Sequence, residues 1–112
     1  MEISTDRQDG RLTARVKGRI TSNNATEFAE ELRAAIGDED HAVILDLENL
    51  SYISSAGIRS ILMIATNLSS RKTPFVICSP ADPIREVFEI SGFDKLIPLH
   101  VSHAEALSSI GS

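Results

Sequence analysis

The six residues Ala42-Val43-Ile44-Leu45-Asp46-Leu47 make a short, almost unbroken apolar run. A strand wet on one face alternates apolar and polar residues. A run without alternation belongs to a strand buried on both faces, as in a parallel sheet covered by helices. Phe75-Val76-Ile77-Cys78 is a second such run. Parallel neighbours need long crossover connections, normally helical, so this pair commits the chain to an α/β architecture.

The intervening segments supply the helices. Ala25, Phe28, Ala29, Leu32, Ala35 and Ile36 recur at spacings of three and four, with Glu27, Glu30, Glu31 and Arg33 opposite. Thr21, Ser22, Asn23 and Asn24 offer N-caps and Gly37 a C-terminal stop. The acidic stretch Asp38-Glu39-Asp40 then reads as a solvated connection. A second helix begins near Ser54 or Ser55 and carries Ile58, Ile61, Leu62, Ala65 and Leu68 on one face. Asp82-Pro83 reads as an N-cap followed by proline at the first helical position, ahead of Ile84, Val87 and Phe88, with Gly92 closing the helix. Ser102-His103-Ala104-Glu105 has the spacing of a capping box before Ala106, Leu107 and Ile110.

Two segments read as flanking strands. Asp9-Gly10 is a favoured hairpin turn, because both residues tolerate positive φ. Beyond it Leu12, Ala14, Val16, Gly18 and Ile20 alternate with Thr13, Arg15, Lys17 and Arg19, the pattern of a strand wet on one side. Leu96 to Leu99 reads as an edge strand, since Pro98 bars it from a central place. The resulting order is β-β-α-β-α-β-α-β-α: a single domain over residues 1–112, with a mixed sheet of four or five strands packed by about four helices.

Size and composition narrow the function. A chain of 112 residues buries about two-thirds of its unfolded surface, leaving roughly 6,000 Å² exposed. With 4% aromatics and no Trp, an aliphatic core is expected. The net charge of −5 would repel a phosphate backbone, which argues against nucleic-acid binding. No apolar stretch approaches a membrane span, and Met1-Glu2-Ile3-Ser4-Thr5-Asp6 lacks the basic and apolar regions of a secretory leader. A cytoplasmic domain is expected. His41 stands alone, and His100 and His103 flank a loop rather than sharing a helix face, so no metal or other cofactor is expected. Cys78, in an apolar strand, reads as a core residue. Ser69-Ser70-Arg71-Lys72 has the Ser-x-x-Lys spacing of acyl enzymes but none of their companion motifs.

The chemically unusual place is Ser51-Tyr52-Ile53-Ser54-Ser55-Ala56-Gly57-Ile58, between a buried strand and its helix. Two hydroxyls stand where unpaired N–H groups and a partial positive charge are concentrated. If Ser54 is the N-cap, it accepts from the N–H of Ala56 or Gly57. Ser55 then falls roughly 80° to one side of the apolar face with its hydroxyl at the rim. Arg59 and Met63 continue that direction at i+4 and i+8. An outward Met beside a serine and an arginine suits a surface that is covered on docking. Spacing alone leaves open that both serines are only caps.

The stretch Ser51 to Arg59, preceded by Val43-Ile44-Leu45-Asp46-Leu47, resembles the STAS family, and especially its bacterial anti-sigma-factor antagonists. Gly18-Arg19-Ile20 with the helix from Asn24-Ala25, and Ile90-Ser91-Gly92-Phe93-Asp94-Lys95-Leu96-Ile97-Pro98, extend the resemblance over nearly the whole chain. The family motif runs Asp-Ser-Ser/Thr-Gly-Leu, with its first serine phosphorylated by a partner kinase. Aligning Gly57-Ile58 with Gly-Leu puts Ser55 on the phosphoacceptor and Ser54 on the Asp. Thr21 also replaces an Asp found in many members. Both replacements keep a capping oxygen but remove a charge that a kinase would meet, and Ser54 stays open as a minor acceptor.

The resemblance implies a non-enzymatic binding module. In its unmodified form, Thr21, Ser22, Asn23, Asn24, Ser54, Ala56, Gly57, Ile58, Arg59 and Met63 would contact an anti-sigma factor that is also a serine protein kinase, releasing that protein's target. A metal-dependent serine phosphatase would reverse the modification. Two other readings are a STAS subunit held permanently on a transporter ATPase or signalling assembly, and a small-ligand or nucleotide sensor. The sequence offers no phosphate loop for the last.

Overall fold

The computed structural model describes residues 1–110, so the last two residues of the expected domain lie outside the described part. Strands β1 (Glu2–Gln8) and β2 (Arg11–Ile20) form the hairpin. They are followed by α1 (Ala25–Ala35), β3 (Ala42–Asp46), β4 (Leu50–Ile53), α2 (Ser55–Ser70), β5 (Phe75–Cys78) and α3 (Asp82–Ile90). A 3-10 turn (Phe93–Lys95), β6 (Leu99–His100) and α4 (His103–Ser109) complete the described chain. Asp9 and Gly10 take φ of 55° and 78°, the double positive φ that a two-residue hairpin turn requires.

The sheet runs β1-β2-β3-β5-β6. β1 is antiparallel to β2, whereas β2–β3, β3–β5 and β5–β6 are parallel. Every residue of β3 and β5 is buried, as their uninterrupted apolar runs predict. The fold class is the expected α/β, but the sheet has six strands rather than four or five. The additional one is β4, in a stretch read from sequence as loop. It pairs in parallel with the far half of β2, Arg19 opposite Tyr52 and Ile20 opposite Ile53, after a register shift at Gly18. Gly18 has φ +105°, a backbone state that L side chains rarely adopt, and it lets β2 turn from one partner to the other.

α1, α2 and α3 cover one face of the sheet. Their Phe28, Leu32, Ile61, Ile64, Leu68, Ile84 and Phe88 pack with Leu12, Ala14, Val16, Ile20, Val43, Leu45 and Ile77. α4 covers a smaller patch of the other face, Ile44, Val76 and Cys78, through Ala106. It also buries Thr13, whose hydroxyl bonds His103 Nε2 at 2.9 Å, so the polar side of β2 is only partly wet. The core is not purely aliphatic. Phe28 and Phe88 are the largest fully buried side chains.

Several local expectations change. Asp82 lies within α3, whose cap position is Ala81, without a side-chain cap. The edge strand starts at Leu99, after Pro98, leaving Leu96 70% exposed. Ser102 caps α4 through Glu105 N at 3.1 Å, but the Glu105 carboxylate turns to His100 instead of completing the box. Asp40 is not solvated. It is buried, takes Arg7 Nε and a terminal Arg7 nitrogen at 2.8 and 2.9 Å, and accepts the Gly37 N–H at 2.7 Å. Arg7 also reaches the Ala35 carbonyl, so one side chain ties β1 to the end of α1.

Candidate functional site

The parallel ends of β2 and β4 bring two loops together. Ile20 lies opposite Ile53, and the Ser54 N–H donates to the Ile20 carbonyl at 2.8 Å. The loop Thr21–Asn24 and the start of α2 therefore leave the sheet side by side. The site follows β4, not the central strand β3 expected from the sequence.

Ser54 has extended backbone angles (φ −85°, ψ 168°), and its Oγ accepts the Gly57 N–H at 3.1 Å. Ser55 is the first helical residue. It is exposed, and its hydroxyl makes no hydrogen bond among the described residues. The two neighbouring serines thus have different chemical states: one oxygen is held by the backbone, the next is accessible.

Gly57 and Ile58 were expected on the contact surface. Both are buried. A Cβ on Gly57 would lie 2.7 Å from Ile20 Cγ2 and 2.9 Å from Ile53 Cγ1, so glycine lets α2 begin against the two strand ends. Ala56 is half-buried, while Arg59 and Met63 are exposed, Met63 by 54%.

In the adjoining loop, Ser22 and Asn23 are exposed, and Thr21 and Asn24 partly so. Asn24 occupies the cap position of α1 without capping it by its side chain. Its Oδ1 accepts the Thr21 N–H at 2.8 Å, and its Nδ2 donates to the Arg19 carbonyl at 3.0 Å. The Asn23 N–H donates to Thr21 Oγ1 at 3.2 Å. These bonds shape the loop itself, which makes its geometry depend on Thr21 and Asn24.

Two features escaped the sequence reading. Tyr52, 42% exposed, stacks under the Arg19 guanidinium, 4.4 Å from the ring centroid. The sequence does not mark it, because the four residues of β4 show no strand period. The second is a shallow groove of about 270 Å³, lined by Ser55, Ile58, Arg59, Leu62, Ser91 and Phe93. Another groove, of about 540 Å³, continues along α2 past Arg59, Leu62 and Met63.

Among the described residues no three His, Cys, Asp or Glu side chains converge as a metal ion would need. Cys78 is buried and its thiol is pushed up to about 11 by burial, with Asp46 adding to it, so it is a poor nucleophile. What this end of the molecule offers is a surface: the accessible Ser55 hydroxyl beside an arginine, a methionine and a polar loop.

Among known proteins, the STAS domain model matches residues 2–106. BtrV of Bordetella bronchiseptica, named as an anti-sigma factor antagonist, is 38% identical over 109 residues, covering 97% of this chain and 94% of that protein. An anti-sigma factor antagonist structure from Mycobacterium paratuberculosis superposes with TM-score 0.90 at 22% identity, over 99% of this chain and 94% of that one. Unphosphorylated SpoIIAA, another anti-sigma factor antagonist, gives 0.80 at 18%, over 97% and 96%. The chain belongs to the STAS domain family.

Proposed function

We propose that this chain is an anti-sigma-factor antagonist, a cytoplasmic binding module without catalysis of its own, switched by phosphorylation of Ser55. The division of labour between Ser54 and Ser55 carries the reading: a capping oxygen fixes the helix start, and an accessible one is left for modification. The similarity to BtrV supports the antagonist role, and SpoIIAA, a neighbour in fold, has been solved in phosphorylated and unphosphorylated forms.

Unmodified, the loop Thr21–Asn24 and the exposed stripe Ser55, Arg59 and Met63 dock on an anti-sigma factor that is also a serine kinase, releasing its target. The kinase directs Ser55 Oγ onto the γ-phosphorus of its ATP; ADP leaves, and the hydroxyl proton passes to a base on the kinase. The phosphate brings about −1.5 to −2 charges. A helix N-terminus tolerates an anion, so the domain keeps its shape. Docking suffers instead, because the dianion is desolvated or meets like charge, at a cost of several kcal/mol. Since each 1.4 kcal/mol is about tenfold, binding falls at least about a hundredfold. A metal-dependent serine phosphatase restores the hydroxyl.

The test is incubation with the cognate kinase and ATP, followed by mapping of the phosphate by mass spectrometry. Phosphate on Ser55, abolished by Ser55→Ala, is expected. Undiminished incorporation into Ser55→Ala would remove the assignment.

A further inference from the structure

Arg59 stands one helical turn beyond Ser55, and both exposed side chains line the same groove. Residues four apart on a helix have Cβ atoms roughly 5–6 Å from each other. Long helical side chains lean toward the N-terminus and cover the preceding turn, which for Arg59 is the turn of Ser55.

The charge of Arg59 is locally unopposed. It is the sole charged residue between Leu50 and Ser70, and the first turn of α2 holds no acid. Arg7, Arg11, Arg15, Arg71 and Arg85 each pair with an aspartate, whereas Arg59, like Arg19 and Arg33, joins no ion pair among the described residues. The rest of the groove lining is uncharged, and the adjoining turn adds one acid and one base, Asp94 and Lys95. An exposed guanidinium without a carboxylate presents a donor fork that matches an oxyanion.

Resting on Ser55 as the phosphoacceptor, we infer that Arg59 is a positioning residue for the modified state, pairing with the phosphate on Ser55 within the same helix. Phosphorylation then alters the docking face twice. It adds a dianion, and it draws away the donors of the only positive charge on α2. A carboxylate of the partner that met Arg59 before modification loses it afterwards.

Incorporating phosphoserine at position 55 during translation makes the test independent of any kinase. The phosphate is titrated by phosphorus NMR in that protein and in its Arg59→Gln and Arg59→Lys forms. An unassisted phosphoserine loses its second proton near pH 6. With Arg59 present the midpoint is expected roughly 0.15–0.4 unit lower than in Arg59→Gln, with Arg59→Lys between them. Equal midpoints in all three proteins would overturn the inference. The acceptor assignment fails separately: a kinase-driven phosphate on another residue removes Ser55 from the switch and leaves this titration unaffected.

Discussion

The N–H of Ser54 donates to the carbonyl of Ile20 at 2.8 Å, tying the start of α2 to the end of β2. Through this bond the loop that begins at Thr21 and the helix that begins at Ser55 share one origin. The two are distant in sequence, and the short strand β4 is what brings them together. Their common rim is hydrogen-bonded where it leaves the sheet and polar where it meets solvent.

The two serines should separate cleanly in stability. Ser54→Ala removes the oxygen that accepts the Gly57 N–H, and loss of such a cap costs about 1 kcal/mol. For a domain of this size that lowers Tm by roughly 4 °C. Ser55→Ala, on an exposed hydroxyl without a partner, should stay within about 0.5 kcal/mol of the parent. Thermal and urea denaturation of both variants reads the difference; equal effects would mean that the cap has been misassigned.

Gly57→Ala sets two effects against each other. Alanine favours a helix over glycine by about 1 kcal/mol. Its Cβ would lie 2.7 Å from Ile20 Cγ2, on a fully buried, β-branched side chain with little freedom to move. Overpacking of this kind costs roughly 1–3 kcal/mol. Sterics win, so a net loss of about 1 kcal/mol is expected in urea denaturation, and more for Gly57→Val. A stabilised Gly57→Ala would show that α2 can retreat from the strand ends.

The main architecture was legible because β3 and β5 are buried on both faces and say so by lacking alternation. The start of α2 was legible because a serine in front of an apolar period has a known use. β4 was not, since Ser51 and Tyr52 are both exposed and four residues leave no period to detect. Nor was the burial of Asp40. Its partner Arg7 comes from the far end of the sequence, and an acidic triplet beside Gly37 resembles any solvated turn. Asn24 misled for a related reason: a cap residue is recognised by type, while here tertiary geometry gives its side chain to Thr21 and Arg19. The far wall of the Ser55 groove, Ser91 and Phe93, follows α3 in the chain and meets the start of α2 only in the folded protein.

The Arg7–Asp40 pair predicts a pH dependence. Hydrogen bonds from Arg7 hold the Asp40 carboxyl below the usual aspartate range in the folded protein. The unfolded chain therefore binds this proton more readily. The contribution is complete above the unfolded value of about 3.9 and is lost as pH falls toward and through the lower folded value. Urea midpoints of the parent should exceed those of Asp40→Asn by a constant amount from about pH 7 to 5, and the gap should close below about pH 4. A gap that persists in strong acid would assign it to shape, not charge.

Met63→Glu tests the stripe without touching the modified residue. Met63 is 54% exposed, so folding stability should change by no more than about 0.5 kcal/mol. Affinity for the partner should fall by about tenfold or more, as for a contact worth over 1 kcal/mol. Unchanged affinity would place the interface elsewhere than on this side of α2.

The most direct measurement is calorimetric binding of the purified anti-sigma-factor kinase to this protein, unmodified and with phosphoserine incorporated at position 55. At least a hundredfold weaker binding of the modified form, with Tm within about 1 kcal/mol equivalent of the parent, is the expected result. Equal affinities for two equally folded proteins would contradict the switch.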